Sequence, residues 1–522
     1  MSQAARTSVL IPIKPEKALP LPAVPAALGI AAAYYGYPFL ISVPLGRNLL
    51  LGLLFLLVIM VSFSRAADFP LSGRLAGKDP SSQNTCFSGI RILAAALAVG
   101  FALGIAVRRT VPGPAELGLP AENVSALSGI LREDPRSLES GAGLGVLKLR
   151  GSAGRGGVRA SASGNITVFF PGESIPSLRE FGRGCEVYVD GSLVSGSRGP
   201  LWRATSVHVV KPAPALETFR TSLRTTLIEK FQSREGREPP VWGGLASALL
   251  LGVRDDLDTA LSEGFRNSGC SHILALSGMH LAILSAVLAF LLNRPLGIRR
   301  SSLIGAVFIV FYVFIAGSQP SLVRAAIMYL IGTVAVWGML KRRPLSLLCM
   351  AFIIQLVFQN ETGTSLSFIL SYLALAGILT LGETLRSLSR GRLPEIAAGG
   401  LSASVGAFVV TAPVVALYFG SLRPIGIIAG LLLAPLSSLF MILSLAALAV
   451  SFLPLPLWGL LDFILTWFYR LLEFLVTLAG RVPGLSFSNP VPVLVFSVLF
   501  WILVLFIQRQ DTAHRRSIAS FD

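Results

Sequence analysis

The chain has 522 residues, of which 53% are apolar and only 14% charged, and it carries a formal net charge of +17. Soluble domains carry about a quarter charged residues, so a wholly soluble globular protein is excluded. Four histidines and four cysteines, without CxxC, HxxxH, HxHxDH or GxSxG spacing and with no nucleotide-binding motif, leave no support for a zinc, redox, metal-hydrolase or elbow-serine enzyme.

In chain order, apolar runs predict twelve membrane spans, at about 23–42, 46–64, 90–107, 271–293, 302–317, 321–340, 344–359, 367–384, 396–418, 425–451, 455–478 and 490–508. A bilayer core takes about 20 apolar residues per helix. Backbone left unpaired in lipid is too costly, so such runs must be helical. The first run follows a long polar lead and reads as a retained helix rather than a cleaved signal. With the N-terminus in the cytoplasm, nineteen Lys and Arg of the short loops fall inside, against Arg47, Arg423 and Arg481 outside. This bias predicts a multi-pass protein of the cytoplasmic membrane with both termini cytoplasmic, and it assigns the positive charge to topology rather than to nucleic acid.

The polar stretch 108–270 is then extracytoplasmic. Short β-rich runs at Val146–Leu149, Ile166–Phe170, Val187–Leu193 and Ala204–Val210, separated by Gly, Ser and Pro clusters, predict a small β-barrel or sandwich. Cys185 and Cys270 both fall outside, either as free thiols or as a pair. In 215–233, Phe219, Leu223, Leu227 and Phe231 recur every four residues between Arg220, Arg224 and Lys230. That pattern suits a helix on the membrane surface or one packed on the β domain. The apolar stretch 241–252 is too short to span and reads as re-entrant or interfacial. The organisation expected is 1–107 N-terminal helices, 108–212 outer β domain, 213–253 connector, 254–510 membrane channel domain and 511–522 cytoplasmic tail.

Polar residues inside the apolar runs are the candidate site. His272, Ser277, Gly278 and His280 interrupt 271–293, where Ser-Gly is expected to break or kink the helix. A broken helix at depth either lines water or is sealed by protein through small-residue contacts. Arg324 lies about one turn inside its span, either snorkelling to the interface or offering a fixed charge to phosphate or carboxylate. Ser371 shares a helix face with Ser367. Arg470 and Glu473 are one turn apart and can neutralise each other, whereas Asp462 needs a partner from another helix or water. These three charges serve either as structural pairs or as a proton relay.

Residues 248–282 carry a family resemblance. ALLLGVRDDLD and FRNSGCSHILALSGMHLAIL are similar to the hallmark of the ComEC competence-protein family, as are GSQPSLVRAAIM, FILSYLALAGIL and the stretch VTAPVVALYFGSLRPIGIIAGLLLAPL, in matching order across 240–450. More weakly, 115–210 with FGRGCEVYVDGSL resembles the family's outer OB-like barrel. Ile369 stands where the family usually has Gln, and Gly430 where Asn is common.

The resemblance implies a polytopic α-helical membrane protein with a small extracytoplasmic OB-like β-barrel. Its implied role is passing single-stranded DNA across the cytoplasmic membrane in natural transformation, without catalysis, metal or cofactor. His272, Ser277, Gly278, His280, Arg324 and Ser371 would line or shape the path. The HxHxDH of the family's usual metallo-β-lactamase-like domain does not occur, so the resemblance implies a separate nuclease beside a DNA receptor and a cytoplasmic helicase or ATPase, with the chain itself able to form a homo-oligomer.

Single-strand binding calls for stacking aromatics in a basic groove, and Phe169, Phe170, Tyr188 and Trp202 are the strand aromatics that either stack bases or fill a core. Residues 115–212 hold eleven basic and nine acidic side chains, so no strong DNA-attracting charge is expected there. An alternative on the same membrane core is a transporter of a small anionic or envelope-derived solute, with Asp462, Arg470 and Glu473 as coupling residues; a membrane scaffold without transport is the third reading.

Overall fold

The computed structural model describes residues 23–41 and 97–518, apart from 110, 112–114, 139–140, 155, 197–198, 233–238, 341–342 and 453–457. The outer stretch forms strands because its residues alternate. In β5 (Asn165–Phe170) every second side chain is buried, starting with Ile166, as the period of two requires. The strands are β1 (Val124–Leu131), β2 (Arg136–Ser137), β3 (Gly143–Gly154), β4 (Arg159–Ser161), β5, β6 (Glu186–Gly196) and β7 (Gly199–Lys211). Five of them close on themselves in the order β1-β3-β5-β7-β6-β1, with β5 parallel to β7 and the other pairs antiparallel. Register shifts at Ser128/Gly129 in β1 and at Asp190/Gly191 in β6 supply the bends that closure needs. At Gly191 a Cβ would collide with the Arg203 carbonyl, so only glycine fits there. Leu127, Leu147, Val168, Phe170, Val189 and Trp202 fill the interior. A short helix, Ile175–Phe181, links β5 to β6.

Helices account for most of the rest, beside a short antiparallel pairing of Ser421–Leu422 with Leu485–Ser486. We label them α1 (Ala23–Ile41), α2 (97–109), α3 (Ile175–Phe181), α4 (Ala215–Gln232), α5 (Gly243–Leu251), α6 (Thr259–Asn267), α7 (Ser271–Leu274), α8 (Gly278–Ala316), α9 (Pro320–Trp337) and α10 (Pro344–Phe358). The remainder are α11 (Leu366–Gly377), continued by a π-turn at Ile378–Gly382 into α12 (Glu383–Ser389), then α13 (Glu395–Phe419), α14 (Gly426–Ser451), α15 (Trp458–Gly480) and α16 (Val491–Ile518).

Two compact units separate. One comprises the described residues up to 108 with 285–308 and 324–358; the other comprises 109–284, 309–323 and 359 onwards. In the first, Gly100 and Gly104 of α2 lie against the Ala26 and Ile30 backbone of α1, a small-xxx-small contact. In the second, Gly377 and Gly406 bring α11 and α13 into backbone contact in the same way. On α15, Leu465, Tyr469, Leu472 and Val476 are buried while Leu460, Phe463, Trp467 and Phe474 are exposed. A helix with such an exposed apolar face is long and apolar enough to cross a bilayer.

The protein is therefore a polytopic helical membrane protein with a small β-barrel, but the twelve-span expectation is too high. Seven described helices are long and apolar enough to cross a bilayer. α8 is two helices joined across a kink at Gly297 (φ 75°, ψ 161°) just after Pro295, and its halves correspond to the predicted spans 271–293 and 302–317. Unbroken, it would reach about 58 Å, nearly twice a hydrocarbon core. Val24–Tyr35 and Pro344–Phe358 are apolar but shorter than a full span. The predicted span 46–64, the start of 90–107 and Cys86 lie outside the described residues.

Trp202 has no exposed surface and Cys185 sits beside it in the barrel core, where burial pushes the thiol up to about 11. Trp202→Ala should cost about 3–5 kcal/mol. With Cys86, Cys270 and Cys349 replaced by Ala in the full chain, maleimide labelling of Cys185 should accelerate on the order of a hundredfold or more, since each 1.4 kcal/mol is tenfold. Unchanged labelling would contradict this core.

Candidate functional site

The helix that would run on from α7 stops at Leu274. Ala275 and Ser277 are extended (φ −77°, ψ 134° and φ −129°, ψ 170°), and α8 starts at Gly278. Serine favours this N-cap position because its backbone and hydroxyl suit the turn into a helix. Here the reciprocal partner is His280, three residues on. Its Nδ1 accepts the Ser277 backbone N–H at 3.1 Å, and the Ser277 hydroxyl lies 3.0 Å from the same nitrogen. The imidazole thus takes the place of the usual Glu or Gln of a capping box. Because Nδ1 accepts, the ring proton belongs on Nε2. His280 is 1% exposed, and Nε2 finds no hydrogen-bond partner among the described residues. The Leu276 carbonyl, left over by the break, accepts the buried Ser321 hydroxyl at 2.7 Å.

Beside the break lies α5, a nonapeptide (GGLASALLL) in which every residue is buried. It is the short apolar stretch expected to be re-entrant or interfacial, and it packs on α4, α7 and α14. Gly252 ends it in the left-handed region (φ 71°) and lies against Leu276, so closely that a Cβ would come within 2.6 Å of Leu276 Cδ1. Tyr312 donates to the Leu250 carbonyl at 2.8 Å.

The β-barrel reaches this region through a carboxylate on its β1–β2 loop. Asp134 accepts from Arg220 at 2.6 Å, from Arg224 at 2.5 Å and from the Arg183 backbone N–H at 3.2 Å. Arg220 and Arg224 are one helical turn apart on α4. Each also caps a helix end: Arg220 donates to the Ile315 carbonyl of α8 at 3.3 Å, and Arg224 to the Leu251 carbonyl of α5 at 3.1 Å. Glu217 completes the cluster, bonded to Arg183 at 2.8 Å and to Arg220 at 2.9 Å. Arg179 pairs with Asp255, and Arg132 and Asn165 both bond Glu361. Burial pushes the Asp134 carboxyl up, but Arg224 and Arg220 outweigh it and leave the group below its ordinary value. Glu217 is likewise lowered, its burial outweighed by hydrogen bonds from Arg183 and Arg220.

Sequence reasoning misses this cluster. Arg220 and Arg224 read as the polar face of a helix lying on the membrane surface or packed on the β domain; Arg220 is 1% exposed whereas Phe219 is 55% exposed. The i,i+4 spacing of two arginines opposite an apolar stripe is the one available signal.

The predicted residues scatter. Ser277, Gly278 and His280 form the capped break. His272, one turn earlier, is exposed. Arg324 is buried on α9 rather than snorkelling, and it belongs to the other compact unit. Ser371 is half-buried on α11. Asp462 accepts the Trp242 indole N–H at 2.8 Å, a partner from a segment 220 residues away. Arg470 and Glu473 pair at 3.0 Å on an exposed helix face, so the three charges form no relay chain.

Phe169 and Tyr188 point outward, half-buried, with Phe169 registered opposite Arg203 and Tyr188 opposite His208. Trp202 and Phe170 point inward and offer no stacking surface, because strand alternation puts them on the core side. Cys185 and Cys270 are buried free thiols and do not pair. A cavity of about 490 Å³ lies between the π-turn and α13, lined by Gly382, Glu383, Arg386, Glu395 and Gly399 among others.

The sequence profile of the family described as Competence protein matches residues 249–511, just over half of the chain. ComE operon protein 3 of Bacillus subtilis is 28% identical over 282 residues, covering 51% of this chain and 34% of that protein. An uncharacterized protein of Aquifex aeolicus is 26% identical over 265 residues, covering 50% and 61%. YcaI of Escherichia coli is 26% identical over 148 residues, covering 27% and 18%. The chain thus matches less than two thirds of the length of each of these relatives.

Both cluster carboxyls are lowered on folding, so their contribution is complete above their unfolded values (ordinarily 3.8 and 4.5) and is lost as pH falls through the lowered folded ones. The melting temperature of the detergent-solubilised chain should stay level between about pH 8 and pH 5 and drop in stronger acid. Asp134→Asn should lower the plateau and flatten the acid limb; an acid limb identical to wild type would show that Asp134 is not the titrating group.

Proposed function

The chain belongs to the competence protein family and is a multi-pass membrane protein, and from that premise we propose that it passes single-stranded DNA across the cytoplasmic membrane during natural transformation. One observation carries the reading: within the family-matched stretch, an apolar run is broken between Leu274 and Gly278, with a buried imidazole and freed backbone groups at the break. A phosphate chain cannot cross hydrocarbon without polar lining, and broken helices are where membrane proteins put it.

In this proposal 254–510 is the channel domain. Ser277, Gly278 and His280 shape the route, Arg324 supplies fixed positive charge for phosphate, and His272 and Ser371 flank the path. The barrel within 108–212 is the receiving domain, its five-strand closure with one parallel pair supporting the OB-like reading. Phe169 and Tyr188 are its stacking candidates. The inside bias of Lys and Arg supports cytoplasmic termini, so the barrel receives DNA from outside. A DNA receptor, a cytoplasmic helicase or ATPase that supplies the energy, and a separate nuclease are the partners this role needs, and a homo-oligomer is compatible with it. No reaction is assigned to the chain. In the solute-transporter reading Asp462, Arg470 and Glu473 would be the coupling residues; Asp462 bonds Trp242, and Arg470 pairs with Glu473.

Deleting the gene from a competent strain should reduce labelled-DNA uptake and transformant counts to background, and normal uptake would remove the proposal. His280→Ala, which takes away the capping partner at a cost of about 0.5–2 kcal/mol, should leave the chain in the membrane at normal amount while lowering transformation. Full transformation by that variant would show that the break needs no imidazole.

A further inference from the structure

Asp134 is one of the residues through which the barrel grips the helices, beside the Arg183–Glu217, Arg179–Asp255 and Arg132–Glu361 pairs. It gathers two guanidiniums and one backbone N–H. Both guanidiniums continue inward to the ends of helices that flank the break. Arg224 holds the Leu251 carbonyl, and the next residue, Gly252, rests on Leu276, immediately before Ser277. Arg220 holds the Ile315 carbonyl, and Tyr312 on the same helix end holds the Leu250 carbonyl. One carboxylate on a barrel loop thereby fixes the buried element against which the break is packed.

We propose that Asp134, Arg220 and Arg224 are positioning residues that couple the barrel to the break at Ala275–Ser277. The carboxylate keeps both arginines on their helix ends and so holds Gly252 against Leu276; a shift of the barrel loop releases them and loosens the break. This regulation rests on the reading of the break as part of the DNA path. The physical basis is the geometry of the guanidinium fork, whose two terminal nitrogens hold a carboxylate and a carbonyl in fixed, separate directions, a spread that the single nitrogen of an ammonium lacks. Without the carboxylate, two like charges one turn apart on α4 repel each other.

The test is hydrogen exchange of the full chain in lipid nanodiscs without DNA, comparing wild type, Asp134→Asn, Asp134→Glu and Arg224→Lys. Asp134→Asn should speed exchange in the segment 248–281 by about tenfold, the scale of a typical coupling, while the strands within 124–211 keep their protection. Asp134→Glu should restore the wild-type rate, which loss of simple packing would not predict. Exchange in 248–281 that stays unchanged in Asp134→Asn, or an equal effect of Glu and Asn, overturns the coupling. If Asp134→Asn also unprotects the strands, Arg224→Lys decides. It keeps a charge near Asp134 but gives up the second bond to Leu251, so faster exchange in 248–281 supports the coupling and wild-type exchange overturns it. Because no DNA is present, a positive exchange result together with normal transformation in the deletion strain would retain the coupling and reject the DNA role alone.

Discussion

Inside a bilayer, a backbone carbonyl or amide freed from its helix has no water to bond, and unpaired it costs several kcal/mol. The break before Gly278 frees such groups, and much of the surrounding structure follows from serving them. Ser321 takes the Leu276 carbonyl and His280 takes the Ser277 amide. Leu250, Leu251 and Ile315, at the ends of α5 and α8, are served by Tyr312, Arg224 and Arg220. Ser277, His280 and Ser321 therefore stand where one helix stops or the next begins. The N-cap and C-cap needs common to every helix end are met here by side chains reaching in from other elements.

Serving a carbonyl with an arginine creates a second requirement, because a buried cation must itself be neutralised. Asp134 does this from the barrel loop and Glu217 from the first turn of α4 itself, and Arg183 links Glu217 back to the barrel. Arginine suits this position because its planar fork spans two acceptors in fixed directions and its charge persists at any physiological pH. The arrangement also explains why α4 turns its basic face inward and leaves Leu216 and Phe219 exposed at the level where α8 ends. Removing either side of such a cluster is far more disruptive than an exposed ion pair such as Arg470–Glu473, which salt and water already weaken.

What the sequence made legible follows the range of the interaction. The barrel strands were visible because period-two alternation is local, and the same alternation could have separated outward Phe169 from inward Phe170. The break was visible because Ser, Gly and His stand out in an apolar run. The span count ran high where apolarity was a poor ruler: Val24–Tyr35 and Pro344–Phe358 are apolar but shorter than a full span. The charge cluster stayed hidden because its partners are far apart, 86 residues for Asp134 and Arg220 and 95 for Arg220 and Ile315. Asp462 showed that it needed a partner, but nothing local could name Trp242.

The ion pairs also bear on how DNA would reach the barrel. Its near balance of basic and acidic side chains is tightened by internal pairing: Arg132, Arg150, Arg179 and Arg183 are committed to Glu361, Glu186, Asp255 and Glu217. Counterion release, the main long-range driver of DNA binding, needs cations free to meet phosphate. A barrel of this kind draws little DNA from solution on charge alone. Under the proposed function its contribution is then short-range, through Phe169 and Tyr188 on the outer face, with Arg203 and His208 registered beside them. Stacking on such positions is insensitive to base identity, which matches a conduit that must accept any sequence. Delivery of the strand falls to a partner that concentrates DNA at the membrane, and the barrel needs only to take a strand already brought within reach.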